Sequence, residues 1–177
     1  MARNHPSRIN RRRLLGGLAG LAGAAVCTPA LAATGATFLW PGGEGPGTVV
    51  IETSDRTLFL VRDDATAVAW PVAVGRDGRQ WTGRTSIVRK AVDPTWYPTP
   101  RMRREDPSLP ASVGPGPSNP FGTRALYLAQ GLLRIHGTNA PSSIGREASS
   151  GCFRMHNSHV EELYRMVGPG TPVVVRR

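Results

Sequence analysis

Cysteine is scarce in this chain: 177 residues contain two, Cys27 and Cys152. So few thiols exclude a disulfide framework, and no zinc-binding pattern accompanies them. Long apolar runs are missing as well. The mild Gly/Ala/Leu stretch from Leu14 to Val26 covers thirteen residues, well short of the roughly 20 that a spanning helix needs. The basic charge comes without a recognition-helix signature or an aromatic-basic ribonucleoprotein stretch, so no nucleic acid partner is expected. No internal repeat is visible.

Much of the charge belongs to the first residues. Asn10-Arg11-Arg12-Arg13-Leu14-Leu15 is a twin-arginine pattern, followed by the short apolar stretch and by Ala30-Leu31-Ala32. That order predicts a removable export signal over residues 1–32, with membrane contact only during transit and the periplasmic or cell-wall space as destination. Cys27 leaves with it, and the bulky Val26 before that cysteine argues against lipidation. Loss of Arg3, Arg8, Arg11, Arg12 and Arg13 lowers the formal charge from +10 to +5, a mildly basic surface that suits an anionic polymer. Residues 33–47 read as a short linker. Residues 48–177 are enough for one domain with a real core.

Period-2 patterning dominates the first half of that domain. Thr48 to Glu52, Thr57 to Val61, Thr66 to Val74 and Arg84 to Val92 are β-branched or alternating runs separated by Ser54-Asp55, Asp63-Asp64 and a Gly75 to Gly83 stretch, and they predict consecutive antiparallel strands. From Asp93 to Pro120 periodicity stops. This segment holds eight of the sixteen prolines and is long for a plain connection, which predicts a functional wall or lid. Strands resume at Arg124 to Leu128 and Leu132 to His136. Near the end, Ser158-His159-Val160-Glu161 reads as a capping box, and Val160, Leu163, Tyr164 and Val167 mark one face of a short helix that Gly168-Pro169-Gly170 stops. Thr171 to Val175 supplies a last strand. His159, in the first turn of that helix, reads as a packing residue.

Alternation sorts the two reactive segments. In Leu132-Leu133-Arg134-Ile135-His136, Leu133 and Ile135 face one side, Arg134 and His136 the other. In the later segment Phe153 and Met155 face one side, with Cys152, Arg154 and His156 opposite. A lone cysteine in an exported domain is either a buried apolar thiol or a nucleophile. A free thiol is mostly protonated at neutral pH, so nucleophilic use needs a base, which His136 can be, and benefits from a cation such as Arg154. Gly151 allows close backbone approach, and the amides of Gly151 and Cys152 are candidate oxyanion donors.

The whole string, Ile135-His136-Gly137-Thr138-Asn139 through Ser142-Ser143-Ile144-Gly145 to Ser149-x-Gly151-Cys152-Phe153-Arg154-Met155-x-Asn157, resembles the active-site signature of YkuD-type L,D-transpeptidases. Asn119-Pro120-Phe121-Gly122-x-Arg124-Ala125-Leu126-Tyr127-Leu128 resembles the strand leading into it. The resemblance implies a mainly β, β-sandwich-like catalytic domain with one or two short helices, acting on peptidoglycan stem peptides without metal or other cofactor, as a monomer, in cell wall biogenesis and the maintenance of cell shape. It makes Cys152 the acyl-accepting nucleophile and His136 its base, oriented by the Gly137 carbonyl. Arg154, Ser149, Ser150, Asn157 and Thr138 then surround the substrate, Ser149 and Asn157 chiefly by holding the loop and the strand-to-helix junction. Ser150 stands where many members carry histidine, which puts a second-histidine contribution in doubt; His156 reads as a rim residue. The implied reaction releases D-alanine from a tetrapeptide donor, leaves a thioacyl-enzyme, and passes the acyl group to an amine as a 3→3 cross-link. Lipoprotein attachment, D-amino acid exchange and hydrolysis share that thioester, and carbapenems are expected to acylate the same thiol. An L,D-carboxypeptidase and a silent wall-binding protein are the competing readings.

Overall fold

The computed structural model describes residues 35–63 and 65–177. The twin-arginine segment, the expected cleavage point and Cys27 lie outside the described residues. Short β-branched runs form the framework: β1 (Ala36–Leu39), β2 (Val49–Glu52), β3 (Thr57–Val61), β4 (Thr66–Pro71), β5 (Val74–Gly75), β6 (Gly83–Val92), β7 (Arg124–Leu128), β8 (Arg134–His136), β9 (Glu147–Ser149), β10 (Phe153–Arg154) and β11 (Pro172–Arg176). Two helices join them, α1 (Pro100–Glu105) and α2 (Asn157–Met166), with a 3-10 turn at Pro141–Ser143.

Nine strands hydrogen-bond in the order β1-β4-β3-β2-β11-β6-β7-β8-β10, and β5 pairs with β9 in a separate two-stranded piece. The long β6 links the two halves. Its first part pairs antiparallel with β11 and its second part with β7, across a register irregularity between Ile87 and Arg89. Such an irregularity bends a strand and raises its twist, which lets the two halves close over a shared core. That core joins Val49, Ile51, Leu58 and Trp70 of one half to Ile87, Leu126, Ile135 and Phe153 of the other. β2 and β11 are covered on both faces: Val50 and Val174 belong to a second cluster with Val61, Trp40 and Phe59. This explains why Val49-Val50-Ile51 and Val173-Val174-Val175 are unbroken apolar runs and not alternating ones.

Helix α2 has ten residues, too few to persist alone in water. It is held by Val160, Leu163 and Val167, all buried in the main core, at about 1.5–3 kcal/mol for each side chain removed from water. Glu162 adds a polar anchor, accepting from Trp70 Nε1 at 2.9 Å and from the Gly35 amide at 3.2 Å.

Several sequence expectations need correction. The Thr66 to Val74 run breaks after Pro71, which supplies no amide for a ladder, and its tail becomes β5, parallel to β9. The first-half strands are not all consecutive antiparallel neighbours either, since β2 lies parallel to β11 and β6 pairs with β11 and β7. The expected linker over residues 33–47 contains β1, antiparallel to β4. No capping box forms at Ser158: the N-cap is His156, without a side-chain cap bond, because Asn157, the first helical residue, turns its amide back toward the strands. Residues 93–120 are ordered and contain α1, whose start was legible as Thr99-Pro100. Thr99 Oγ1 accepts from the Met102 amide at 3.2 Å, and Pro100 occupies a first-turn position where a missing N–H costs nothing. Buried Asn119 holds the segment, donating to the Pro94 and Gly114 carbonyls at 2.6 and 3.0 Å and accepting from the Phe121 amide at 2.8 Å.

Candidate active site

β8 and β10 run parallel, with Phe153 beside Ile135 and Arg154 beside His136. Ile135, Phe153 and Met155 are buried in the core, so alternation turns His136, Arg154 and, one residue before β10, Cys152 to the other side. All three line one cavity of about 620 Å³. Its facing wall comes from residues 93–120, including Trp96, Tyr97 and α1.

The imidazole is fixed. His136 Nδ1 lies 2.6 Å from the Gly137 carbonyl oxygen; a carbonyl can only accept, so Nδ1 carries the proton and Nε2 keeps its lone pair. The ring is also 4.7 Å from that of Phe121. Burial, then the charges of Arg154 and Arg134, push its pKa down to about 3, against the opposing pull of the Gly137 carbonyl. It is therefore neutral at physiological pH and able to accept a proton.

The thiol is held by a turn. Buried Ser149 accepts from the Gly151 amide at 3.0 Å and donates to the Cys152 carbonyl at 2.5 Å. Gly151 adopts φ 128°, a region L side chains avoid, and a Cβ there would meet the Arg79 carbonyl at 3.3 Å. The half-buried Cys152 Sγ donates to the Leu132 carbonyl at 3.5 Å. Burial raises the thiol pKa, and Arg134 foremost, then Arg154, works against that rise. The resting pair is thus a neutral thiol and a neutral imidazole.

Asn157 ties the nucleophile strand to the base strand. Its Oδ1 accepts from the Thr138 amide at 3.0 Å and the Thr123 amide at 3.4 Å. A Cβ on Gly137 would overlap that oxygen, so only glycine permits the approach. Thr138 is buried, its Oγ1 accepting from the Ala140 amide at 3.0 Å. Both hold the loop and neither lines the cavity, nor does His156, which sets its ring edge-on to His159 at 5.2 Å. Ser150 is exposed at the cavity mouth.

Three contributors escaped the sequence reading: Arg134, Arg79 and helix α1. Arg134 was within reach, since alternation already set it on the His136 face. Arg79 was not, because its place depends on Glu105, twenty-six residues away, which accepts from it at 2.5 Å. Five arginines line the cavity, Arg79, Arg101, Arg104, Arg134 and Arg154, against the single carboxylate of Glu105. The site is strongly cationic and suits an anionic substrate. Among the described residues no three metal-ligating side chains gather.

A two-half β fold closing on a cavity of this kind is that of an L,D-transpeptidase catalytic domain. L,D-transpeptidase 3 from Mycobacterium tuberculosis superposes with a TM-score of 0.59 at 16% identity, covering 73% of this chain and 60% of that one. The Enterococcus faecium catalytic domain superposes at 0.58 and 21% identity, covering 76% and 100%. In sequence, residues 46–175 match the model of the YkuD family, the L,D-transpeptidase catalytic domain. The chain belongs to that family. It is 39% identical to the probable L,D-transpeptidase ErfK/SrfK of Escherichia coli over 72% of this chain and 43% of that protein, so it spans less than half of that relative's length. It is 34% identical to a putative L,D-transpeptidase of Fuscovulum blasticum over 94% and 97% of the two chains.

Proposed function

We propose that this chain is a cysteine-dependent peptidoglycan L,D-transpeptidase, exported by the twin-arginine route. The observation that carries the reading is the thiol of Cys152 and the Nδ1-anchored imidazole of His136 in one cationic cavity. Cys152 Sγ attacks the carbonyl of the L-centre of the diamino acid at stem position three while Nε2 of His136 takes the thiol proton. Because Ser149 occupies the Gly151 N–H, the oxyanion donor is the Cys152 N–H. Collapse of the adduct expels D-alanine, whose amine takes the proton back from the imidazolium, and leaves a thioester. A side-chain amine of another stem then attacks, with neutral His136 again accepting the proton; the C–S bond breaks, the Cys152 thiolate takes that proton back from the imidazolium, and a 3→3 cross-link results. Neutral resting partners support general-base attack over a preformed ion pair, since a buried imidazolium beside two guanidiniums is disfavoured. Residues 93–120 contribute to donor binding through Tyr97 and the arginines of α1.

The test is product and intact-mass analysis of the purified chain beside Cys152→Ala, after incubation with a disaccharide-tetrapeptide ending in D-alanine. Cross-linked dimers that depend on Cys152 support the transferase. Tripeptide alone points to an L,D-carboxypeptidase, and neither product nor adduct from folded protein points to a silent wall-binding protein.

A further inference from the structure

One guanidinium in the cavity wall enters the scheme above only through its charge, without a contact to a reacting atom. Extending the β8 and β10 register by one residue sets Arg134 beside Cys152. Arg134 Nη1 donates to the Leu132 carbonyl at 2.5 Å, and the same oxygen accepts from Cys152 Sγ at 3.5 Å. The two contacts to one atom bring guanidinium and sulfur within about 6 Å of each other, inside the range where an opposite charge favours ionisation. The guanidinium centre lies 5.2 Å from the Tyr127 ring and 5.4 Å from the Phe121 ring, which hold it by cation–π contact and limit its reach to the cavity. No carboxylate pairs with it among the described residues, and its Nε is buried without a hydrogen-bond partner.

The shared carbonyl matters because a thiol can donate to it and a thiolate cannot. When the S–H bond breaks and its electron pair stays on sulfur, the Leu132 oxygen turns from partner to repulsive neighbour. A group with spare N–H donors beside the sulfur then decides how far the anion is disfavoured. Arg154 is differently placed: it lies beside His136 in the register, where its charge opposes the imidazolium. The ranking of charge effects agrees, Arg134 leading at Cys152 and Arg154 at His136.

We propose that Arg134 is the thiolate-stabilising residue of the site, its guanidinium turning from the Leu132 carbonyl to Cys152 Sγ as the thiol proton passes to His136 Nε2. This deepens the proposed reaction, yet its readout is thiol ionisation, measured without any stem peptide, so either idea can fail alone. The experiment is iodoacetamide alkylation of the protein from pH 6 to 11, read by mass spectrometry at the Cys152 peptide, with an added free-cysteine peptide as internal reference. Arg134→Gln is expected to raise the Cys152 midpoint by about one pH unit or more and to slow alkylation at neutral pH about tenfold, with the reference peptide unchanged. Arg134→Lys, which keeps the charge, is expected to recover at least half of that shift. An unchanged midpoint in Arg134→Gln overturns the proposal, and so do equal shifts in the Gln and Lys variants, which would mark a packing role. Tyr127→Leu removes one face of the clamp and is expected to raise the midpoint by less. Should Arg134→Gln not fold, an unchanged midpoint in Tyr127→Leu overturns the proposal.

Discussion

The inner wall of the cavity, β8, β10 and the Ser149–Cys152 turn, is fixed by ladder hydrogen bonds and by the buried Ile135, Phe153 and Met155. The outer wall, residues 93–120, is fastened at α1 by Glu105, which reaches Arg79 at 2.5 Å, Arg101 at 3.2 Å and Arg76 at 3.3 Å. Buried packing defines angles and distances to a fraction of an ångström, whereas exposed ion pairs are weak and screened by salt. The groups assigned to chemistry sit on the first kind of wall. The groups assigned to substrate capture sit largely on the second.

This contrast predicts a gradient of effects. Cys152→Ala should remove acyl transfer by at least about a thousandfold with little change in thermal unfolding, as measured by dimer yield beside calorimetry; residual Cys152-independent cross-linking would contradict the assignment. His136→Gln should lower transfer by about 10²–10⁴-fold and also change acid stability. With the folded imidazole at about 3 and an unfolded one near 6.5, the unfolded chain takes up the proton first as pH falls. Stability is therefore complete above about pH 6.5 and lost toward pH 3, on the order of 5 kcal/mol in all. Urea unfolding between pH 7 and 4 should show that slope in the wild type and a flatter one in His136→Gln.

Ser149→Ala comes next, since it leaves the Gly151 amide without its acceptor and the Cys152 carbonyl without its donor. A loss of about 1–3 kcal/mol in chemical unfolding is expected, with transfer reduced at least tenfold by displacement of the nucleophile. Glu105→Gln is the smallest change. Its carboxyl is exposed and held below the ordinary range, chiefly by the Arg79 hydrogen bond, so the clasp persists to more acidic pH than a free glutamate would allow. Its loss should leave unfolding unchanged, speed amide exchange over residues 100–105, and shift KM within about threefold at low salt, an effect that vanishes at high salt. A large salt-independent effect would show that the outer wall is as rigid as the inner one.

The inner wall was the legible part. Strand alternation set Ile135, Phe153 and Met155 against His136, Arg154 and Cys152, because a parity rule needs only local sequence. The outer wall was read as a proline-rich segment without periodicity, although Thr99-Pro100 announces a helix start. A six-residue helix is too short to leave an apolar stripe. The box at Ser158 failed for the opposite reason: a correct local pattern lost to a long-range bond, since Asn157 gives its side chain to the Thr138 and Thr123 amides.

What the amino-acid sequence determined by itself is most of the strands and the parity that sets Ile135, Phe153 and Met155 against His136, Arg154 and Cys152, both consequences of periodicity within a few residues; the choice of Cys152 and His136 as a reactive pair rested on the resemblance of the whole string. Only the tertiary structure decided which strands adjoin, that the Gly151 amide is spent on Ser149, and that Arg134 shares a carbonyl with the thiol. Those facts depend on atoms brought together across the chain by burial of a common core, and no local pattern encodes such distances.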